Sequence, residues 1–233
     1  MAIILYLETA TNICSVALAE NTMLLSIRET EKRNSHAELI TVLIQELLTE
    51  AGITFAEIDA VAVSKGPGSY TGLRIGVSTA KGICYALGKP LISVGTLHAM
   101  AYGAQHFFPD HDNTTIFCPM IDARRMEVYY ALFDNQLKEI KPSCAEIINS
   151  ESFSELLNQH KIIFFGDGAE KCKALLSEKQ NGLFPDQLFV SAQHMIIPAL
   201  EKYNNNDFES TAYFEPFYLK DFVAGASKVK GLK

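Results

Sequence analysis

Several features are scarce in this sequence, and each shortage excludes something. The five cysteines, Cys14, Cys84, Cys118, Cys144 and Cys172, are odd in number and widely spaced, with no Cys-x-x-Cys pair. That argues against a disulfide framework or a zinc knuckle and for a reducing compartment. Basic charge is short as well: 20 Lys and Arg against 27 Asp and Glu leave a formal charge of −7. Such a chain has no electrostatic footprint for gripping a phosphate backbone unaided, so a partner is expected to supply most of any grip on nucleic acid. The longest segment without Asp, Glu, Lys or Arg, residues 90–109, holds His98, Gln105, His106, Gly95, Gly103 and flanking prolines. A membrane span is not expected from it. The apolar start, residues 3–7, is too short for a signal-peptide core and lacks a basic leader, so the expected location is cytoplasmic.

What is present is globular. Hydrophobic residues make up 48% of the 233 positions and charged residues 20%, which excludes a disordered chain. The length suits one large domain or two small ones. Residues 3–7, 14–19 and 23–27 read as three strands, with Glu20-Asn21 as a turn. A helix follows over 35–51. Ser35 and Glu38 predict a capping box, apolar residues recur from Leu39 to Ala51, and Gly52 ends it. Residues 59–64 read as a buried strand, 71–87 as a second helix stopped by Gly88 and Pro90, and 91–94 as a short strand.

The second half repeats this order. With an offset of 114 residues, Glu8 falls on Asp122, Ala17-Leu18 on Ala131-Leu132, and Glu20-Asn21 on Asp134-Asn135. Likewise residues 162–165 lead into Gly166-Asp167-Gly168, as 60–63 lead toward Gly66-Pro67-Gly68. Identities are few, so two unrelated hairpins remain an alternative, but the matching order of elements favours duplication. Three antiparallel strands followed by βα units, twice over, predict two α/β halves of the actin-like type. The boundary is expected within 106–114, giving halves 1–107 and 108–233, the latter ending in a basic tail with Lys220, Lys228, Lys230 and Lys233.

The segment from Lys65 to Gly76 is the most informative. A glycine-rich turn between strand and helix can present N–H groups to phosphate. A P-loop would need Gly and Lys where Thr71 and Gly72 stand, and a dinucleotide fingerprint would need Gly at Thr71. Gly72, Gly76 and Ala80 instead form an i, i+4, i+8 strip that would let another helix backbone approach. The 35–51 helix carries an apolar arc wider than one core contact requires. Either it packs between neighbours within the monomer, or part of this face joins the Gly72/Gly76 strip in a protein–protein interface.

Metal and hydrolytic motifs are missing. There is no His-Glu-x-x-His, no histidine pair at i, i+3 or i+4 on an expected helix, and no Gly-x-Ser-x-Gly. His106, Asp110, His111 and Asp112 flank Pro109 and read as a solvated linker, and His98 as a packed histidine. Tyr129, Tyr130, Phe107, Phe108 and Phe133 read as core or strand residues. Thr9 and Thr11, closing the first strand, could cradle a phosphate. In the equivalent turn of the second half, Arg124 and Arg125, followed by Glu127, could bind an anion or carboxylate, or be solvated turn charges.

Gly66-Pro67-Gly68-Ser69-Tyr70-Thr71-Gly72-Leu73-Arg74-Ile75-Gly76, followed by Ala80-Lys81-Gly82, resembles the signature of the TsaB (YeaZ) family. The segment from Asp122 to Tyr129 resembles its second motif, and Pro216-Phe217-Tyr218-Leu219-Lys220 its C-terminal one. The resemblance implies an actin/Hsp70-like (ASKHA) duplicated two-lobed α/β fold. It further implies a non-catalytic subunit for threonylcarbamoyl transfer to the adenosine beside the tRNA anticodon. The implied partners are the transferase TsaD, the ATPase TsaE and a second copy of the chain, with tRNA met only in the complex. The N-terminal helices would form the interface, through Leu39, Leu43, Leu47, Gly72, Leu73, Gly76, Val77 and Ala80. Arg124, Arg125 and Glu127 would face the cleft or a third partner. TsaD's two metal histidines fall here on Thr96 and Met100, so no metal is implied. No cofactor is expected in the isolated chain, though a nucleotide at a subunit boundary is left open. Departures are Glu8 for Asp, Lys65 for Arg, Tyr70 for Phe and Lys220 for Arg. The rival is an autonomous actin-like phosphotransferase using Thr9, Thr11 and the Gly166-Asp167-Gly168 turn, or an M22-type peptidase.

Overall fold

Apolar runs without alternation call for strands covered on both faces, and the computed structural model, which describes residues 1–32, 35–108, 112–177, 180–185 and 190–220, has them. The first half runs β1 (Ile3–Glu8), β2 (Cys14–Glu20), β3 (Met23–Thr30), α1 (His36–Ala51), β4 (Ala60–Gly66), α2 (Tyr70–Leu87), β5 (Leu91–Gly95) and α3 (Thr96–Phe107). The second runs β6 (Thr115–Asp122), β7 (Glu127–Phe133), β8 (Glu139–Ile147), α4 (Ser154–Leu157), β9 (Lys161–Phe165), α5 (Asp167–Leu176), β10 (Gly182–Leu183) and α6 (Ile196–Asn204).

The sheet orders are β3-β2-β1-β4-β5 and β8-β7-β6-β9-β10. In both, the first strand pairs antiparallel with the second and parallel with the fourth. The two halves therefore share one topology, and the fold is the duplicated actin/Hsp70-like α/β type. On β1, Leu5 and Leu7 enter the core under α1 and α2, while Ile4 and Tyr6 enter the core on the opposite face. All four are fully buried, and each of the three aliphatic side chains is worth about 1.5–3 kcal/mol relative to exposure. α3 is shared: Ala99 joins the core of the first sheet, and Leu97, Met100, Ala101 and Ala104 that of the second.

Three expectations are corrected. The capping box at α1 does not form, because the Ser35 hydroxyl donates to the Lys32 carbonyl at 2.5 Å and makes no cap bond. The helix still ends at Gly52 with φ 67°. Phe107, expected in the core, is 59% exposed at the end of α3. The division at 107/108 is also too simple. Ala192, Met195, Ile196 and Ala199 pack on the first sheet, Glu209 bridges to Leu91, and Phe217 N–H donates to the Lys65 carbonyl. The chain returns to the first lobe because the face carrying Ile4, Tyr6, Ala17 and Ala62 needs a cover that α3 alone does not supply. Pro109, Asp110, His111, Lys228, Lys230 and Lys233 lie outside the described residues.

Candidate functional site

The turn between β1 and β2 organises the first lobe's half of the site. Glu8 ends β1 fully buried; its Oε1 accepts the Ala10 N–H at 2.6 Å and the Ser64 hydroxyl at 2.8 Å, while Oε2 has no partner among the described residues. Burial pushes its carboxyl up to about 7 against the opposing pull of those bonds. The Ala10 carbonyl then accepts the Ser69 N–H at 2.7 Å. Cβ atoms added at Gly68, Gly72 and Gly76 would stand 2.4, 2.1 and 2.3 Å from the Ala10 oxygen, the Thr9 oxygen and the Thr9 Oγ1. The glycine strip is thus a close-packing device, but its neighbour is the chain's own β1–β2 turn, not another helix.

That corrects the expected interface set. Leu43, Leu47, Leu73, Val77 and Ala80 are 9% exposed or less, Gly72 and Gly76 are buried with them, and Leu39 alone of the eight is half-buried. The wide apolar arc of α1 is mostly spent on the sheet and on α2. What α2 offers outward is a different strip of small residues, Ser78, Gly82 and Ala86, beside Tyr85 at 87% exposure. A Cβ at Gly82 would meet nothing within 4 Å.

The same packing corrects the phosphate candidates. Thr9 is fully buried against Gly76, its hydroxyl without a partner among the described residues, and Gly168 is buried against the β6 backbone. Gly166 holds φ 95° where a Cβ would meet the Met120 oxygen. Thr11 and Asp167 do reach the cleft between the lobes. Asp167 Oδ1 accepts the Asp122 N–H at 3.0 Å, and burial raises its pKa.

That cleft, of about 720 Å³, is walled by Ala10, Thr11, Asn12 and the 68–71 turn on one side and by residues 121–125, Glu127, Tyr129 and Asp167 on the other. Phe217, Tyr218, Leu219 and Lys220 border it. Arg124 and Arg125 stand in the β6–β7 turn, Asp122 and Glu127 at its base. Lys171 braces this turn, pairing with the Asp122 carboxylate and donating to the carbonyls of Arg125 at 2.8 Å and Glu127 at 2.6 Å.

The three sequence motifs meet here through a strap that pattern reading did not foresee. Lys81 Nζ donates to the carbonyls of Ala212 and Phe214, both at 3.1 Å. Arg74 Nε donates to the Tyr218 hydroxyl at 3.3 Å, and the rings of Tyr70 and Tyr218 lie 4.8 Å apart. Lys220 pairs with Glu127 of the second lobe. The signal was the polar Arg74 and Lys81 beside an aromatic-rich C-terminal motif. His98 is packed as expected, stacked at 5.5 Å on Phe133, with burial lowering its pKa.

Thr96 and Met100, at 0% and 1% exposure, lie within α3 between the two sheets. Among the described residues no helix is long and apolar enough to cross a membrane.

The family described as "TsaD: tRNA N6-adenosine threonylcarbamoyltransferase" matches residues 27–224. The tRNA threonylcarbamoyladenosine biosynthesis protein TsaB of Escherichia coli K12 is 31% identical over 228 residues, covering 95% of this chain and 96% of its own length. TsaB of Haemophilus influenzae is 37% identical over 128 residues, 55% of this chain and 52% of its own. YeaZ from Pseudomonas aeruginosa superposes with a TM-score of 0.79 at 23% identity, covering 94% of this chain and all of that one. With end-to-end similarity of this kind and the three motifs joined in one site, the chain belongs to the TsaB (YeaZ) family of tRNA threonylcarbamoyladenosine biosynthesis proteins.

Proposed function

We propose that this chain is a non-catalytic subunit that supports the TsaD transferase, together with the TsaE ATPase, in threonylcarbamoyl transfer to the adenosine beside the tRNA anticodon. The observation that carries the reading is the burial of Thr96 and Met100, the positions at which the family resemblance places the transferase's metal histidines. Neither side chain is a hard-metal ligand in this setting, and both are packed in α3 between the sheets. Thr9 buried under Gly76 likewise leaves the phosphotransferase reading without its first hydroxyl. The net charge of −7 fits a subunit that meets tRNA only within the assembly.

The partner surface moves with the corrected geometry. Gly82 costs α2 about 1 kcal/mol of helix propensity relative to alanine, and nothing inside the monomer occupies the space its side chain would take. Close approach of another helix backbone over Ser78, Gly82 and Ala86 accounts for it, with Tyr85 and the half-exposed Val42 of α1 as apolar anchors. The same strip serves TsaD and a second copy of this chain in turn.

The test is reconstituted transfer to tRNA by TsaD and TsaE with and without this chain. Transfer is expected only when the chain is added to the other two, and none from the chain alone. Gly82→Leu is expected to fold but to lose co-elution with TsaD. Transfer by the isolated chain, or full transfer without it, overturns the reading.

A further inference from the structure

We propose that the interlobe cleft binds a small-molecule oxyanion, a phosphate or carboxylate group clamped by the guanidinium groups of Arg124 and Arg125. The inference goes beyond the subunit reading and stands whichever way that is decided.

The first observation is charge without a partner. The other charges of this turn are matched: Lys171 pairs with Asp122, and Lys220 with Glu127. Arg124 and Arg125 are exposed, line the cleft, and make no side-chain hydrogen bond or ion pair with any described residue. Asp167, the remaining acid of that wall, spends one oxygen on the Asp122 N–H. Two arginines without an ion-pair partner among the described residues thus line the interlobe hollow of a protein whose net charge is −7.

The second observation is backbone conformation. Arg124 and Arg125 both have left-handed φ, 71° and 51°. Asn and Gly are the inexpensive residues for such positions, whereas two consecutive long side chains there hold the backbone under strain. The strained turn is also rigidly held. Arg124 N–H donates to Asp122 Oδ1 at 2.7 Å, Ala123 N–H to the Glu127 carbonyl at 3.1 Å, and Lys171 ties three acceptors together from behind. A solvated pair of turn arginines needs none of this bracing.

The third observation is the opposite wall. Thr11, Asn12 and Thr71 face the arginines across the cleft with neutral donors, and Tyr129, Phe217 and Tyr218 supply apolar area beside them. A volume of about 720 Å³ suits a metabolite-sized ligand. Planar guanidinium forks match carboxylate and phosphate oxygens.

The test uses the full chain, titrated calorimetrically with pyrophosphate and with citrate at about 0.15 M salt. Wild type is expected to bind at least one of them saturably. Arg124→Asn/Arg125→Gly, which keeps residues suited to the turn, is expected to retain or raise Tm while weakening binding about tenfold or more. Arg124→Lys/Arg125→Lys separates the sources. Retained pyrophosphate binding points to a phosphate met by point charges, and loss confined to citrate points to a carboxylate fork. No saturable binding of either probe by wild type overturns the proposal, as does wild-type affinity in the Asn/Gly variant.

Discussion

A Cβ placed on Gly72 would stand 2.1 Å from the carbonyl oxygen of Thr9, closer than any side chain tolerates. Helix α2 and the β1–β2 turn therefore touch backbone to backbone, and the strip running from Gly72 to Ala80 belongs to the inside of the lobe.

Gly72→Ala is accordingly expected to destabilise the chain by about 1–3 kcal/mol, overpacking outweighing the gain in helix propensity. Gly82→Ala, ten residues along the same helix with open space around it, is expected to stabilise the chain by about 0.5–1 kcal/mol. Denaturant unfolding of the two variants side by side checks both signs. Equal effects would mean that the two faces of α2 had been misassigned.

Two titratable groups, the buried Glu8 and the half-buried His194 in the turn that leads into α6, act on stability in opposite senses. Glu8 titrates at about 7 in the folded chain against an ordinary 4.5, so the folded state holds its proton longer and stability falls as pH rises between those values. His194 is pushed down to about 4 from 6.5, chiefly by burial, so stability is lost as pH falls through that range. Each is worth roughly 3 kcal/mol across its window, and the windows overlap, so wild type is expected to vary little between about pH 4.5 and 6.5 from this pair. Glu8→Gln is expected to expose a rise in stability with pH over that interval, and His194→Gln a fall. Tm measured against pH for the three proteins decides it; parallel curves would sink the assignment.

Lys81 holds the C-terminal strap by two backbone carbonyls. Lys81→Met is expected to cost about 1 kcal/mol or somewhat more and to raise amide exchange at residues 212–218 without changing exchange in β1 or β4. Gly66→Ala is expected to be harsher. Its φ of 109° and the Phe217 oxygen 2.6 Å from the added Cβ oppose it together.

The elements and their order were readable because the apolar runs 3–7 and 60–63 are short, continuous and bounded by turn residues, and because the second half repeats them. Close packing at Gly72 and Gly76 was readable from spacing. Its direction was not, since an i, i+4 strip names a helix face without saying which neighbour lies against it; the exposed Gly82 on the other face carried an equal signal. The capping box failed at Ser35 because the hydroxyl found the Lys32 carbonyl instead. Thr9 looked like a phosphate ligand by position alone, and only the absence of a Cβ at Gly76 reveals why it is covered. The strap was hidden for a different reason: Tyr218 and Arg74 are 144 residues apart, and no local pattern links them.

Because residues 190–217 come home to the sheet that starts the chain, the two lobes are laced by their connections in both directions. Cutting between them at the 107/108 junction yields no independent first half. It strips the cover from Ile4 and Tyr6 and leaves an oily sheet face for any passing hydrophobe. Rocking of one lobe against the other has either to carry along the strap held at Lys81 or to part the Lys220–Glu127 pair at its far end.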